Sequence, residues 1–214
     1  MKGVFITGTD TGVGKTIISA ALMSAFPNAH YWKPVQSGSE EDDDTRSVRE
    51  LAETGSSRCW DRGYRLVIPA SPHHAAEAEN VEITLEGIDK FKPTSDGPWI
   101  VEGAGGLLVP LSRTLLLTDL IQALGLSVIV VSSTRLGTIN HSLLTLRTLK
   151  TMGIPTLGLV LNGDRDPSAL SGIGAFSNEE LLLETPTTQT VTPEFVHNIG
   201  RDLARNTSLQ AALS

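Results

Sequence analysis

Gly3-Val4-Phe5-Ile6-Thr7-Gly8-Thr9-Asp10-Thr11-Gly12-Val13-Gly14-Lys15-Thr16 is the stretch that decides the fold. Val4, Phe5 and Ile6 make a short apolar run that reads as a buried strand. A glycine-rich turn follows, and Thr16-Ile17-Ile18-Ser19-Ala20-Ala21-Leu22-Met23 starts a helical pattern. Strand, turn and helix in that order form a loop for an anion. Glycines let backbone N–H groups turn inward and converge on phosphate oxygens at the positive end of a helix. In such a loop Lys15 reaches the outer phosphates and the Thr16 hydroxyl ligates Mg²⁺. The alternative, a glycine-rich turn that binds nothing, is disfavoured because Gly-Lys-Thr stands where a strand gives way to a helix. Five residues separate Gly8 from the Gly14-Lys15 pair where the common spacing has four, so Thr9 occupies the place of the first glycine. That variant marks a subfamily of phosphate-binding loops.

Further along, His30-Tyr31-Trp32-Lys33-Pro34-Val35 reads as a second strand, followed by the polar turn Gln36-Ser37-Gly38. Lys33 then lies at the C-terminal end of a strand, the edge at which open parallel sheets carry their ligands, and can meet the same phosphates as Lys15. A solvated lysine before a turn is the competing reading. Glu40, Glu41, Asp42, Asp43 and Asp44 form an acidic run whose default is a solvated loop. Its last member differs, because Val48, Leu51 and Ala52 follow at helical spacing and place Asp44 just before a helix packed on the sheet, where it can bind Mg²⁺ directly or through water. Which of Asp42, Asp43 and Asp44 faces the metal stays open.

Residues 55 to 70 read as a connection with one short strand. Ser71-Pro72 then gives a helix start with Ser71 as cap, and His73 and His74 in its first turn read as solvent-facing. A short helix over Ile83 to Phe91 and a loop over Pro93 to Pro98 lead to Trp99-Ile100-Val101-Glu102-Gly103-Ala104-Gly105-Gly106. Here an apolar strand ends in a carboxylate and then glycines. Glu102 stands where enzymes with this loop put the acidic residue that holds Mg²⁺ opposite the loop Ser or Thr. The bland reading is a strand-terminal glutamate in solvent.

Leu116 to Leu124 reads as a helix and Ser127-Val128-Ile129-Val130-Val131 as a central parallel strand. Gly137 precedes a helical stretch reaching about Met152, whose first turn offers free N–H groups for a carboxylate, with Asn140 placed to assist. Thr156 to Leu161 is a further strand ending in Asn162-Gly163, and Asn162 is ambiguous between a turn and a nucleobase contact. Asp164 to Asn178 reads as a loop and Glu180 to Thr185 as a last strand. Glu194 to Leu213 reads as a C-terminal helix with Phe195, Ile199, Leu203 and Ala204 on one face. Alternating strands and helices with no repeat and no linker give one α/β domain of three layers, around a mainly parallel sheet of about six or seven strands.

The composition sets bounds on this reading. A chain of 214 residues with 40% hydrophobic content can bury about 70% of its unfolded surface in one domain. No signal-peptide pattern and no apolar run of roughly 20 residues is present, so the expected location is the cytoplasm. Cys59 is the only cysteine, which rules out an intrachain disulfide and a cysteine-based zinc site. A net charge of −7 argues against non-specific binding to nucleic acid or an anionic membrane, both of which need a basic face. Two lysines, a loop threonine and two separated carboxylates are equipment for moving a γ-phosphoryl group.

The extended loop from Gly8 to Thr16, Trp32-Lys33-Pro34-Val35-Gln36-Ser37-Gly38, Val101-Glu102-Gly103-Ala104-Gly105-Gly106 and Leu136-Gly137-Thr138-Ile139-Asn140-His141 together resemble dethiobiotin synthetase. The match runs in order from residue 2 to about Asn162. The resemblance implies a fold of the P-loop NTPase type and ATP-dependent carboxylation of 7,8-diaminononanoate with CO₂ or bicarbonate to dethiobiotin, in biotin synthesis. By the same resemblance, Asp10, Thr11, Gly12, Val13, Gly14, Lys15 and Thr16 would hold the phosphates of ATP and Asn162 its base. Thr11, Lys15, Lys33 and Ser37 would surround the carbamate and the transferring phosphoryl group, and Thr16, Asp44 and Glu102 would hold Mg²⁺. Gly137, Thr138, Ile139 and Asn140 of a second subunit would grip the far carboxylate of the substrate, which implies a homodimer.

Two other classes share the loop. Partition and septum-positioning ATPases carry a signature lysine where this chain has Asp10, and they act on DNA or membranes, which the acidic charge disfavours. A silent regulatory domain of the same fold would not need every phosphate and metal ligand.

Overall fold

The apolar run at the N-terminus forms β1 (Gly3–Gly8) in the computed structural model, which describes residues 1–40, 43–95 and 97–214. The glycine-rich turn leads into α1 (Lys15–Ala25). Next come β2 (His30–Trp32), β3 (Val35–Ser37), α2 (Asp44–Leu51), β4 (Cys59–Trp60), β5 (Tyr64–Leu66), α3 (Pro72–Ala78) and α4 (Leu85–Phe91). The second half comprises β6 (Trp99–Gly106), α5 (Leu117–Leu124), β7 (Ser127–Ser133), α6 (Thr138–Thr151) and β8 (Thr156–Asn162). It ends with α7 (Pro167–Phe176), β9 (Leu181–Thr185), α8 (Pro193–Leu203) and α9 (Thr207–Leu213).

Seven strands form one sheet in the order β4-β2-β6-β1-β7-β8-β9, and every pairing is parallel. A parallel sheet is covered on both faces, so each strand carries two sets of apolar side chains in alternation. Phe5, Val101, Val128 and Val130 pack toward Ala75, Ile88, Leu120, Leu146 and Ile173 of α3 to α7. Val4, Ile6, Ile100, Ile129 and Val131 pack toward Ile18, Val48, Ile199 and Leu209 of α1, α2, α8 and α9. The result is the expected three-layer α/β arrangement. The phosphate loop lies at the C-terminal end of the central strand, and no helix among the described residues is long and apolar enough to cross a membrane.

Five local expectations need correction. The strand expected through Val35 is two strands in two sheets. Pro34 has no N–H to continue a ladder, so the chain leaves the main sheet there. It begins β3, which pairs in parallel with β5. Gln36 and Ser37, expected in a turn, belong to β3. Residues 164 to 178, expected as a loop, contain α7, whose start is signalled by Asp166. Its carboxylate accepts from the N–H groups of Ser168 and Ala169, each at 3.0 Å, with Pro167 following. Glycine and serine within the helix hid that signal. The single C-terminal helix is broken into α8 and α9 at Asn206, whose side chain caps the Leu209 N–H at 3.0 Å. Lastly, β6 does not end at Glu102 but runs on through the glycines to Gly106.

Smaller differences follow the same logic. Ser71 stands before α3 as expected, yet its hydroxyl meets His73 Nδ1 at 3.1 Å and caps nothing. Glu41 and Asp42 of the acidic run lie outside the described residues, as does Asp96 of the 93–98 connection. Cys59 is buried, and that burial pushes its thiol up to about 11.

Candidate functional site

Gly14 ends the phosphate loop as the residue before α1, with a left-handed φ of 103° that an L side chain rarely adopts. A Cβ there would lie 2.1 Å from Asn162 Nδ2. Glycine is therefore required twice over, by conformation and by the close approach of β8. Asn162 fills the space: its Nδ2 donates to Val13 O at 2.9 Å, and its Oδ1 accepts from Thr185 Oγ1. The Asn-Gly pair thus forms no hairpin, since β8 continues through α7 into a parallel strand. Val13 is buried in the core, so what it offers a ligand is its backbone. Asp10 Oδ1 accepts from the Thr11 N–H at 2.7 Å, which shapes the tip of the loop, and Thr11 and Gly12 are exposed.

Lys15 is folded back over its own loop, donating to Asp10 O at 2.9 Å, and is 6% exposed. Burial, and after it the neighbouring Lys33 ammonium, lower its pKa to about 8. Lys33 is buried too, but it is paired: its Nζ lies 2.6 Å from Asp44 Oδ2 and 2.9 Å from Glu102 Oε1. Burial pulls its pKa down, and the two carboxylates overcome that pull and hold it above the usual lysine value. Asp44 is the counterpart. Burial raises its pKa, and Lys33 together with the Thr16 hydroxyl more than offsets this, leaving it lowered. The Thr16 hydroxyl lies 2.6 Å from Asp44 Oδ1 and 3.2 Å from Glu102 Oε1.

The structure therefore brings together residues that lie far apart in the chain. Lys15, Thr16, Lys33, Ser37, Asp44 and Glu102 line one cleft of about 790 Å³ with Thr11, Gly12 and Gly14. Asp44 is the first residue of α2, and the residue before the helix is Asp43, whose carboxylate accepts from the N–H groups of Thr45 and Arg46 at 3.0 and 3.3 Å. Of the alternatives in the acidic run, Asp43 is thus engaged in capping and Asp44 faces the cleft. Glu102 is 1% exposed, which excludes the solvated reading. Ser37 Oγ is buried at the cleft with no hydrogen-bond partner among the described residues.

Asn162 lines a second cleft of about 310 Å³ with Thr134, Arg135, Pro186 and Thr187. Gly12, Ile17 and Val191 line both, so the two join beside the phosphate loop. The start of α6 is elsewhere. Gly137, Thr138, Ile139 and Asn140 line neither cleft. Ile139 and Asn140 are exposed, whereas Thr138 is buried with its hydroxyl 2.9 Å from Ser132 Oγ.

Sequence reasoning missed three side chains that shape the site. Ser19 Oγ and Tyr31 OH donate to Glu102 Oε2 at 2.8 and 3.0 Å. Arg65 donates to Lys33 O at 3.0 Å from β5 and fixes the backbone that carries the ammonium. The signal for Ser19 and Tyr31 was spacing: Ser19 is one helical turn beyond Thr16, and Tyr31 is two strand residues before Lys33, so each shares a face with a residue already singled out.

A family model described as an AAA domain matches residues 2–195. The chain is 45% identical over 195 residues to the ATP-dependent dethiobiotin synthetase BioD of Agrobacterium fabrum, covering 90% of this chain and 89% of that protein. It is 42% identical over 197 residues to the enzyme of the same name from Brucella anthropi, covering 92% of each. Among solved structures, it is similar to the MinC:MinD cell division protein complex of Aquifex aeolicus. That match has a TM-score of 0.58 and 13% identity, and it covers 96% of this chain and 95% of that one. It is also similar to a putative plasmid partition protein of Borrelia burgdorferi bound to AMPPNP, with a TM-score of 0.54 and 12% identity over 95% of this chain and 98% of that one. Identities that low speak for the fold alone, whereas the synthetase matches extend over about nine-tenths of the chain at more than 40% identity: the chain belongs to the ATP-dependent dethiobiotin synthetase family.

Proposed function

We propose that this chain is an ATP-dependent ligase that closes the cyclic urea of dethiobiotin from 7,8-diaminononanoate and CO₂. The observation that carries the reading is the convergence of Lys33, Thr16, Asp44 and Glu102 at the mouth of a phosphate loop that already holds Lys15. One amine of the substrate adds to CO₂ and forms a carbamate. A carbamate oxygen attacks the γ-phosphorus of ATP, releasing ADP, and the second amine attacks the carbamate carbon as phosphate leaves. Both transfers develop negative charge on oxygen, which two closely spaced ammonium groups stabilise. The same cations favour the neutral, nucleophilic form of a nearby amine. Ser37, with a buried hydroxyl to spare, donates to the carbamate beside Thr11, Lys15 and Lys33.

The donor set also fits a hard divalent cation. Two carboxylates and one hydroxyl converge, oxygen donors of the kind such a cation takes. Thr16, Asp44 and Glu102 would hold Mg²⁺, which supplies charge neutralisation on the β- and γ-phosphates. Phosphates lie along residues 10 to 16, and the base enters the second cleft beside Asn162.

The reading includes a homodimer and a cytoplasmic location, where ATP is at hand. Leu136, Ile139, Leu144 and Phe176 are exposed around the start of α6 and along α6 and α7, an apolar surface suited to a second copy of the chain. Backbone N–H groups at Gly137 to Asn140 of that copy, with the Asn140 side chain, then receive the substrate carboxylate. Partition and division ATPases share the fold, and a DNA- or membrane-directed ATPase is the second reading. Asp10 in place of their lysine and the net charge of −7 weigh against it. Purified protein mixed with MgATP, bicarbonate and the diamine should yield dethiobiotin by mass spectrometry, and no product at any diamine concentration would refute the reading.

A further inference from the structure

The hydrogen bonds to Glu102 divide between its two oxygens. Oε1 faces the cleft, 2.9 Å from Lys33 Nζ and 3.2 Å from Thr16 Oγ1. Oε2 points inward and accepts from Ser19 Oγ at 2.8 Å and from Tyr31 OH at 3.0 Å. Ser19 and Tyr31 are both fully buried and neither lines the cleft, so substrate touches neither. Their placement follows from the periods of the elements that carry them. Ser19 lies one turn beyond Lys15 and Thr16 on α1. Tyr31 pairs with Ile100 between β2 and β6, which puts its side chain on the face that Glu102 shares with Ile100. A tyrosine this deep is tolerated only if its hydroxyl finds a partner, because an unsatisfied buried hydroxyl costs more than a phenylalanine of the same shape. The partner here is the carboxylate.

We propose that Ser19 and Tyr31 are positioning residues for metal binding. By occupying both lone pairs of Oε2 they fix the plane of the carboxylate and leave Oε1 as the single oxygen that Glu102 presents to a divalent cation. The inference rests on the metal-site reading given above. Tyr31→Phe keeps the ring and removes only the hydroxyl. Ser19→Ala removes the other donor and stands as the second variant should the first fold poorly. Mn²⁺ is the probe, titrated by electron paramagnetic resonance into protein saturated with ADP. Each variant should bind Mn²⁺ about 10-fold more weakly than the parent protein, with the KM for the diamine unchanged. Variants that melt at lower temperature yet bind Mn²⁺ as tightly as the parent would overturn the proposal and leave a merely structural role. A parent protein that takes up no Mn²⁺ with ADP would overturn the metal-site reading itself, and this inference with it.

Discussion

Replacing Lys33 by methionine tests the site most directly, because its buried ammonium lies between the buried Glu102 carboxylate and the half-buried Asp44 carboxylate. The Lys33 side chain is 4% exposed, that of Asp44 16% and that of Glu102 0%. Removing one partner of a buried ion pair leaves an uncompensated charge and costs about 3–5 kcal/mol. For a chain of this length each kcal/mol moves the melting temperature by about 2–4 °C, so the variant should melt about 6–20 °C below the parent at neutral pH without divalent cations. Added Mg²⁺ should then act unequally. In the parent it competes with the ammonium for Asp44 and Glu102, whereas in Lys33→Met it meets them free. A cation at 100 times its dissociation constant stabilises by about 2.7 kcal/mol, so Mg²⁺ should restore several degrees to the variant and fewer to the parent. Thermal melts followed by circular dichroism, with KCl at matched ionic strength as control, read both effects. An unchanged melting temperature, or equal Mg²⁺ shifts in the two proteins, would refute the account. Turnover by the variant should fall by at least about 10²-fold, as expected on losing a group that meets transition-state charge.

Three further outcomes are expected. Lys15 in the free protein has a pKa lowered to about 8, below the unfolded value of about 10.4. The unfolded chain therefore holds more protons between those values, and the free protein should gain stability as pH rises from about 8 toward 10. A triphosphate favours the charged lysine, so nucleotide binding at pH ~9 should take up close to one proton. Calorimetry in buffers of different ionisation heat that found no uptake would refute this. Asn140→Ala should chiefly raise the KM for the diamine and leave that for ATP unchanged, and steady-state kinetics with the diamine KM unaltered would remove Asn140 from carboxylate binding.

The sequence made the site legible wherever the chemistry is local. A phosphate loop needs its glycines, lysine and threonine within one strand-to-helix junction, so residues 3 to 16 announce both the fold and the ligand. Glu102 was legible as a carboxylate among glycines, although β6 carries it mid-strand rather than at its end. Asp44 was separated from its acidic neighbours by helical spacing, but the role of Asp43 as cap was hidden among like residues. What escaped was contact between distant elements. Ser19 and Tyr31 reach Glu102 across 83 and 71 positions of sequence: spacing sets each on the face of a residue already singled out, but it does not encode the carboxylate that both meet there. α7 escaped for the opposite reason. Its Asp166-Pro167 start is local and readable, but glycine and serine within the helix suggest a loop, and packing of Ala169 and Ile173 overrides that propensity.

The change of sheet at Pro34 also governs where the chain can tolerate variation. Lys33 precedes a proline and is confined to extended backbone. Its carbonyl is tied to Arg65 in the smaller sheet, and its ammonium to Glu102 in the larger and to Asp44 at the start of α2. A methyl group on Gly63 would come within 2.4 Å of the Pro34 carbonyl oxygen. Positions 61 to 66 therefore act as a splint. They line neither cleft, yet a side chain added or a residue inserted there would carry the ammonium out of line as surely as a change at Lys33 itself.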